Sequence, residues 1–483
     1  MYAAGLDIGT SGCKIAAYDE NGIFVKCEYE EYNVKRSGGL HEIDPREIFN
    51  CVKKVILRLN LPQIRSIGVT SFGETFTMLD ENDEPCAPSM LYTDPRGKEE
   101  CKEILEHFKE DELAYMTGVR LHEMYSFPKI LWIKKNMPQS YTAARHIFLM
   151  QDYIVYMLTG NRFIDYSLAA RTACFDIKNK CWAKEITDAF GIDADLLSKP
   201  VTSGHCAGKI RKALAKELML DADTVIVSGC HDQIAAMTGA NVLECGDVMD
   251  GTGTVECVPV VMESVPRDFS LFECGFSIAP HINGKYACYV LSYTGGATLK
   301  WFRDNFSDKS YAELDSEVSE KPTDLLIMPH FAGAATPYMD SSSKAAVIGL
   351  TFEHTKADIY KALMEGTAYE IAVNLDILES RGLMPKLLTA TGGGARSAVW
   401  LQIKADVLGI PVAALDTEEA GAAGTAYLAG KAIGLYEAEM QLAETGKTYY
   451  SNKLRHEFYE RQLKKYKKIY GFSKQILTED SMK

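Results

Sequence analysis

The sequence predicts an α/β protein made of one unit used twice, with two duplicated domains flanking a cleft. Three observations carry this. The chain has 483 residues, well beyond what one hydrophobic core usually organises. Short apolar runs alternate with amphipathic segments, the pattern of strands alternating with helices. A hairpin motif also recurs at the midpoint: GLDIGTSGCKIAAYD from Gly5 to Asp19 is repeated in outline by GDVMDGTGTVE from Gly246 to Glu256. Each reads as an apolar strand carrying an aspartate, a Gly-Thr turn and a returning strand. The duplication divides the chain into domains spanning 1–243 and 244–483.

Along the first half, Ala3, Ala4, Leu6 and Ile8 form the opening strand, and Ile15 to Tyr18 return beyond Gly9-Thr10-Ser11-Gly12. Asp44-Pro45-Arg46-Glu47 combines an N-cap, a proline at the first helical position and a capping-box glutamate, and starts a helix that runs to about Leu59. Ile64 to Thr70 is a buried strand ending at Ser71-Phe72-Gly73-Glu74-Thr75, with a hairpin-like continuation from Phe76 to Asp80. Helices follow at Gly97 to His107, Pro128 to Lys135 and Gln151 to Leu158, the last stopped by Gly160. Thr224 to Ser228 is a β-branched strand, and Gly229-Cys230-His231-Asp232-Gln233 turns it into a helix over Ile234 to Ala240.

The second half continues with a strand at Tyr286 to Tyr293, and Gly295-Gly296 opens a helix. A long helix covers Asp358 to Ser380, stopped by Gly382. Leu387 to Thr391 is a strand that runs into Gly392-Gly393-Gly394-Ala395-Arg396-Ser397. A helix to Leu408, a strand from Val412 to Leu415 and a small-residue helix from Ala420 to Ala429 follow, the last expected to pack closely on a neighbour. The basic, aromatic stretch Tyr449 to Lys468 is expected to be helical, a solvated face packed on one domain.

Composition excludes several classes. With 47% hydrophobic residues, 24% charged residues and a net charge of −14, the chain reads as globular and unsuited to nucleic acid as its main partner. No apolar run reaches the length of a membrane span. The opening MYAAGLDIG lacks a basic segment followed by an apolar one, so a cytoplasmic location is expected. The 13 cysteines form no C-x-x-C pair, unlike a zinc site or a disulfide framework. There is no G-x-x-x-x-G-K-[ST], no H-R-D or D-F-G, no H-E-x-x-H and no G-x-S-x-G. Ser397 stands where the third glycine of a dinucleotide fingerprint belongs.

The first hairpin suits polyphosphate. Gly9 lets backbone N–H groups approach phosphate oxygens, Thr10 and Ser11 add hydroxyls, Lys14 adds charge, and Asp7 could hold a metal ion through its waters. The same residues also describe an ordinary hairpin with a solvated aspartate, and the hairpin alone does not separate the two. Asp232 likewise suits either a general base at a helix N-terminus or a simple N-cap.

A resemblance bears on that choice. MYSFPKILWIKKN, from Met124 to Asn136 and centred on Lys129 and Trp132, resembles the first signature of the FGGY family of carbohydrate kinases. Ala345 to Leu350, followed by Asp358-Ile359 and Ala362 to Glu365, is similar to the second and departs from it at Leu363. The likeness extends from about Leu6 to Leu435. It implies the fold of the actin, Hsp70 and sugar-kinase superfamily, two RNase H-like domains with the active site between them, and it implies ATP and Mg²⁺ as cofactors.

The resemblance also implies site residues. Asp232 would be the catalytic base and Asp7 the metal-side carboxylate. Gly9, Thr10, Ser11 and Lys14 would form the first phosphate motif, and Gly251, Thr252, Gly253 and Thr254 the second. Gly392, Gly393, Gly394 and Ala395 would hold adenosine, with Gly295 and Gly296 nearby. Gln402 and Asp406 are either an exposed helix face or nucleotide contacts.

A small sugar or polyol would meet Phe72, Gly73, Glu74, Asp94, Arg96, Asp232 and Gln233, although for Asp94 and Arg96 a local ion pair is an equal reading. The leading acceptor is a ketopentose such as xylulose. Glu74-Thr75 matches part of the Arg-Glu-Thr string of glycerol kinases but lacks its arginine. A homodimer is the simplest assembly if the chain self-associates. The alternatives are a nucleotide-driven scaffold or chaperone-type ATPase and a non-catalytic sugar sensor of the same superfamily.

Overall fold

The computed structural model describes residues 1–417 and 419–479. Strands β1 (Tyr2–Ile8), β2 (Gly12–Asp19) and β3 (Phe24–Glu31) form an antiparallel meander. Helix α1 (Pro45–Leu59) leads into β4 (Ile64–Ser71), which pairs parallel to β1. After α2 (Ser126–Asn136) come β5 (His205–Lys209), β6 (Val225–His231), parallel to β4, and α3 (Asp232–Gly239). The first sheet therefore has the order β5-β6-β4-β1-β2-β3.

The second half repeats this plan. Strands β7 (Asp247–Thr252), β8 (Glu256–Met262), β9 (Ser277–Pro280) and β10 (Tyr286–Ser292) precede α4 (Gly296–Phe306) and α5 (Lys356–Glu379). Then follow β11 (Leu387–Thr391), α6 (Ala398–Leu408), β12 (Val412–Leu415), α7 (Ala420–Ala432), β13 (Thr445–Tyr449) and α8 (Lys453–Tyr466). The order β9-β10-β8-β7-β11-β12-β13 matches the first sheet strand for strand once β9 is set aside. In both halves a hairpin, β1-β2 or β7-β8, adjoins two parallel strands and an antiparallel edge strand. The duplication read from one short motif thus extends to the spatial order of the strands, although the edge strand β5 precedes its neighbour β6 in the chain while β13 follows β12.

Two local expectations are corrected. Phe76–Leu79 does not continue the β4 hairpin; it pairs with His146–Leu149 in a separate ribbon. Asp44 caps α1 through the Arg46 N–H at 2.9 Å, but Glu47 completes no capping box and instead accepts from the Asn33 N–H. Helix α8 packs on the second half, as expected for this stretch. Tyr459 and Tyr466 of α8 are buried and donate their hydroxyls to Glu365 and Glu370 of α5.

Helix α7 belongs by sequence to the second half yet packs on β1, β4 and α3 of the first. Its small residues explain how. A Cβ placed on Gly5 would lie 1.9 Å from the Ala422 carbonyl oxygen, one on Gly239 2.0 Å from that of Ala420, and one on Gly424 2.0 Å from that of Ala235. The contact is therefore backbone against backbone, and any larger residue would force the two halves apart. No helix among the described residues is long and apolar enough to cross a membrane.

Candidate active site

The two turns expected to meet phosphate sit at the same place in their sheets, at the tip of the hairpin beside the central parallel strand. In the first, the Gly9 N–H donates to the Gly12 carbonyl at 2.9 Å and closes the turn, while Tyr32 holds the Gly9 and Ser11 carbonyls. Both carbonyls are thus drawn away from any anion. Asp7 lies in β1 in register with Lys14, and its Oδ1 is buried with no hydrogen-bond partner. Burial pushes the Asp7 pKa up to about 6, Lys14 opposes this and Glu419 adds to it. Lys14 is engaged in the structure by Glu419 at 2.5 Å, at the N-terminus of α7, so it reaches a phosphate only by leaving that partner.

The second turn differs in its chemistry. Thr252 is buried, donates to Asp250 Oδ1 at 2.8 Å and accepts from the Lys404 ammonium at 3.0 Å. Lys404, on α6, also binds both Asp250 and Glu256, and all three side chains are buried. Burial opposes the charge on Lys404, but the two carboxylates outweigh it and raise its pKa, whereas burial pushes Glu256 up to about 7. The Thr252 hydroxyl, expected as a phosphate donor, instead anchors the turn from beneath. The backbone of Gly251 to Thr254 and the exposed Thr254 side chain remain for phosphate.

The glycines assigned to the nucleotide side gather around that turn. The Gly295 N–H donates to the Thr254 carbonyl at 3.0 Å and the Gly296 N–H to the Gly253 carbonyl at 2.8 Å. A Cβ on Gly392 (φ 79°) would lie 2.7 Å from the Thr252 carbonyl oxygen, and one on Gly394 2.6 Å from Thr252 Cβ. Gly393 faces open space and Ala395 is half-buried. A cleft of about 390 Å³ opens beside them, lined by Gly253, Thr254, Gly296, Lys300, Trp301 and Tyr311 among others. Gln402 and Asp406 have no part in it. Gln402 donates to Asp406, and Asp406 binds Arg455 at 2.7 Å and the Asn452 N–H, tying α6 to α8.

Where the sugar contacts are expected, β4 and β6 end together. Asp232 is the first residue of α3; its side chain is 30% exposed, yet Oδ1 is buried without a hydrogen-bond partner. Burial, then the charges of Asp7 and Glu74, push its pKa up to about 7, while Arg171 pulls the other way. Glu74 occupies a left-handed conformation (φ 64°), and its carboxylate accepts from Arg171 Nε at 2.6 Å. The Arg171 guanidinium lies between the rings of Tyr125 (5.2 Å) and Tyr289 (5.7 Å). Gly73 permits this approach, since a Cβ there would lie 2.9 Å from Arg171 Cγ and 3.2 Å from His231 Cδ2. Gln233 is half-buried beside the base.

Three expected sugar contacts are otherwise employed. Phe72 is core, 4% exposed and packed with Ile8 and Val69. Arg96 spends its guanidinium on Asp94 (2.7 Å) and Glu42 (2.8 Å) and rests on Trp132, and the Asp94 carboxylate caps the His41 N–H. Lys129, fully buried, donates to the carbonyls of Asp94, Arg96 and Glu123. The Lys129 to Trp132 motif therefore braces the substrate-side turn from within. Arg171, Tyr125, His231, Tyr289 and Lys404 went unnoticed in the sequence. A lone arginine inside the apolar run LAARTAC was the available signal, because a buried cation demands a partner.

The sequence matches the model of the FGGY family of carbohydrate kinases, N-terminal domain, over residues 2–239, and that of the C-terminal domain over residues 252–433. A xylulose kinase of Staphylococcus epidermidis is 28% identical over 98% of this chain and 97% of its own. A gluconokinase of Bacillus subtilis is 27% identical over 93% and 91%, and a glycerol kinase of Symbiobacterium thermophilum 29% over 92% of each. A crystal structure titled as a xylulose kinase ("xyloylose kinase") from Brucella ovis superposes with a TM-score of 0.91 at 25% identity, covering 99% of this chain and 100% of that one. This chain belongs to the FGGY family of carbohydrate kinases and has the two-domain actin/Hsp70-like fold of such enzymes. It is a kinase that uses ATP.

Proposed function

We propose that this kinase transfers the γ-phosphoryl group of ATP to a hydroxyl of an uncharged sugar or polyol, a ketopentose such as xylulose, with Asp232 as general base. The observation that carries the reading is the buried, unpartnered Asp232 Oδ1 at the head of α3. An ionised carboxylate there can accept the hydroxyl proton as the sugar oxygen bonds to the γ-phosphorus and the bond to the ADP oxygen breaks. The two hairpin turns offer backbone N–H groups to the phosphates, and Trp301 and Tyr311 offer ring faces to the base of the nucleotide. Mg²⁺, when bound, neutralises phosphate charge. Asp7 fits its holder because Oδ1 is buried and otherwise orphaned.

Charge favours a neutral acceptor over an aldonate. Among the described residues the buried cations on this side are already engaged, Arg171 with Glu74, Arg96 with Asp94 and Glu42, and Lys129 with three backbone carbonyls, and Asp232 adds negative charge. A carboxylate substrate would enter against two carboxylates with no free cation to receive it. ADP release measured with xylulose, glycerol and gluconate tests this. We expect xylulose to be used and gluconate not. A preference for gluconate would refute the charge argument, and silence across all three would refute the acceptor class.

Two further outcomes are expected. kcat/KM for the sugar should fall about tenfold per pH unit as pH drops through about 7, because protonated Asp232 cannot take a proton. Neutralising Asp7 by Mg²⁺ would move this limb to lower pH, and a flat profile between pH 5 and 8 would exclude Asp232 as base. Asp7→Asn should raise the Mg²⁺ concentration for half-maximal rate by roughly tenfold or more. An unchanged Mg²⁺ titration would remove Asp7 from the metal site.

A further inference from the structure

The wall behind Asp232 is shared between the two halves. Tyr289 stands on β10 in the second sheet and His231 ends β6 in the first, and both are 7% exposed. Tyr289 Oη lies 3.4 Å from His231 Nδ1, the rings meet edge to face at 5.8 Å, and His231 Nε2 lies 3.3 Å from Asp232 Oδ1. The His231 backbone is fixed by its N–H to Ser167 Oγ at 2.8 Å. We propose that Tyr289 is a positioning residue for the base, reaching across from the second half to hold His231, which in turn steadies the Asp232 carboxylate.

The tautomer supplies the logic. Burial, then the neighbouring Arg171 charge, hold the His231 pKa well below its ordinary value, so the ring is neutral and carries one proton. If Tyr289 donates to Nδ1, that proton sits on Nε2, the nitrogen facing Asp232. Asp232 Oδ1 has no aligned donor of its own, and the 3.3 Å contact becomes a hydrogen bond with a small rotation of either group. The Tyr289 ring also covers the Arg171 guanidinium, so the same side chain closes the space behind Glu74. Asp232 is further faced by the carboxylates of Asp7 and Glu74, by Arg171 and by the Gln233 N–H. The sugar side is therefore complete only with a residue that the nucleotide-side sheet provides.

The inference rests on Asp232 being the base, and the test separates the two ideas. Tyr289→Phe keeps the ring and removes only the hydroxyl. With xylulose and MgATP, kcat should fall about tenfold while KM for ATP and thermal stability stay at the parent values. His231→Gln should produce a similar loss, and the double variant should be no worse than the worse single, because both act through one chain. A Tyr289→Phe enzyme with parental kcat, or losses that multiply in the double variant, would overturn the proposal while leaving Asp232 in place if Asp232→Ala is inactive. A fully active Asp232→Ala enzyme would overturn the base assignment and this proposal together.

Discussion

Asp232→Ala should reduce sugar-dependent ADP release by roughly 10² to 10⁴ in kcat, the range lost when a general base is removed. The protein should remain folded, because the deleted carboxylate makes no aligned hydrogen bond through Oδ1 and carries a raised pKa, both marks of a group the fold does not need. Removing it relieves repulsion with Asp7 and Glu74, so the melting temperature should hold steady or rise. KM for ATP should change little, since both phosphate turns are built without Asp232. Turnover near the parental value, measured with the same sugar, would end the assignment.

Lys404→Met should have the largest effect on stability. It leaves Asp250 and Glu256 buried with no cation and takes one hydrogen bond from Thr252. Breaking a buried ion pair on one side costs about 3–5 kcal/mol, and the linear van der Waals volume of Met fills only the space. The sign of the pH response follows from the cause. Glu256 already sits near 7 because it is buried, and without Lys404 it would bind its proton more firmly still. Lowering the pH should therefore restore part of the lost stability by removing the buried charge. Denaturant melts of parent and variant at pH 6 and pH 8 give the comparison, and a variant as stable as the parent at pH 8 would show that the triad contributes nothing net. A raised KM for ATP should accompany the loss, because Thr252 anchors the second phosphate turn.

The elements that the sequence made legible were those with local causes. Gly160, Gly382 and Gly409 end their helices in left-handed conformations as their positions suggest, and the two hairpins carry their turns in glycine and threonine. The glycine loops expected on the nucleotide side came from the family resemblance, and the structure gives a steric reason for two of them, Gly392 and Gly394, whose Cβ atoms would meet Thr252. What escaped notice depends on pairs far apart in the chain. Arg171 meets Glu74 across 97 positions, and Lys404 meets Asp250 across 154. No periodicity links such residues, so neither the brace under Thr252 nor the wall behind Asp232 could be read from pattern. Asp94 and Arg96 show the opposite case: a charged pair two residues apart reads equally as a ligand site or a local ion pair, and here the two charges engage each other, with Glu42.

The packing of α7 has a consequence for recombining such enzymes. The helix is encoded after residue 400 but lies on a sheet and a helix encoded before residue 240, with glycine on both sides of the contact. A chimera cut at the midpoint, joining the first half of one relative to the second half of another, would keep each sheet whole yet mate an α7 with a foreign β1 and α3. Any departure from Gly5, Gly239 or Gly424 in either parent would then place a side chain where two backbones touch. The better exchange carries Ala420–Ala432 along with the first half, so that the unit of inheritance follows contact rather than chain order.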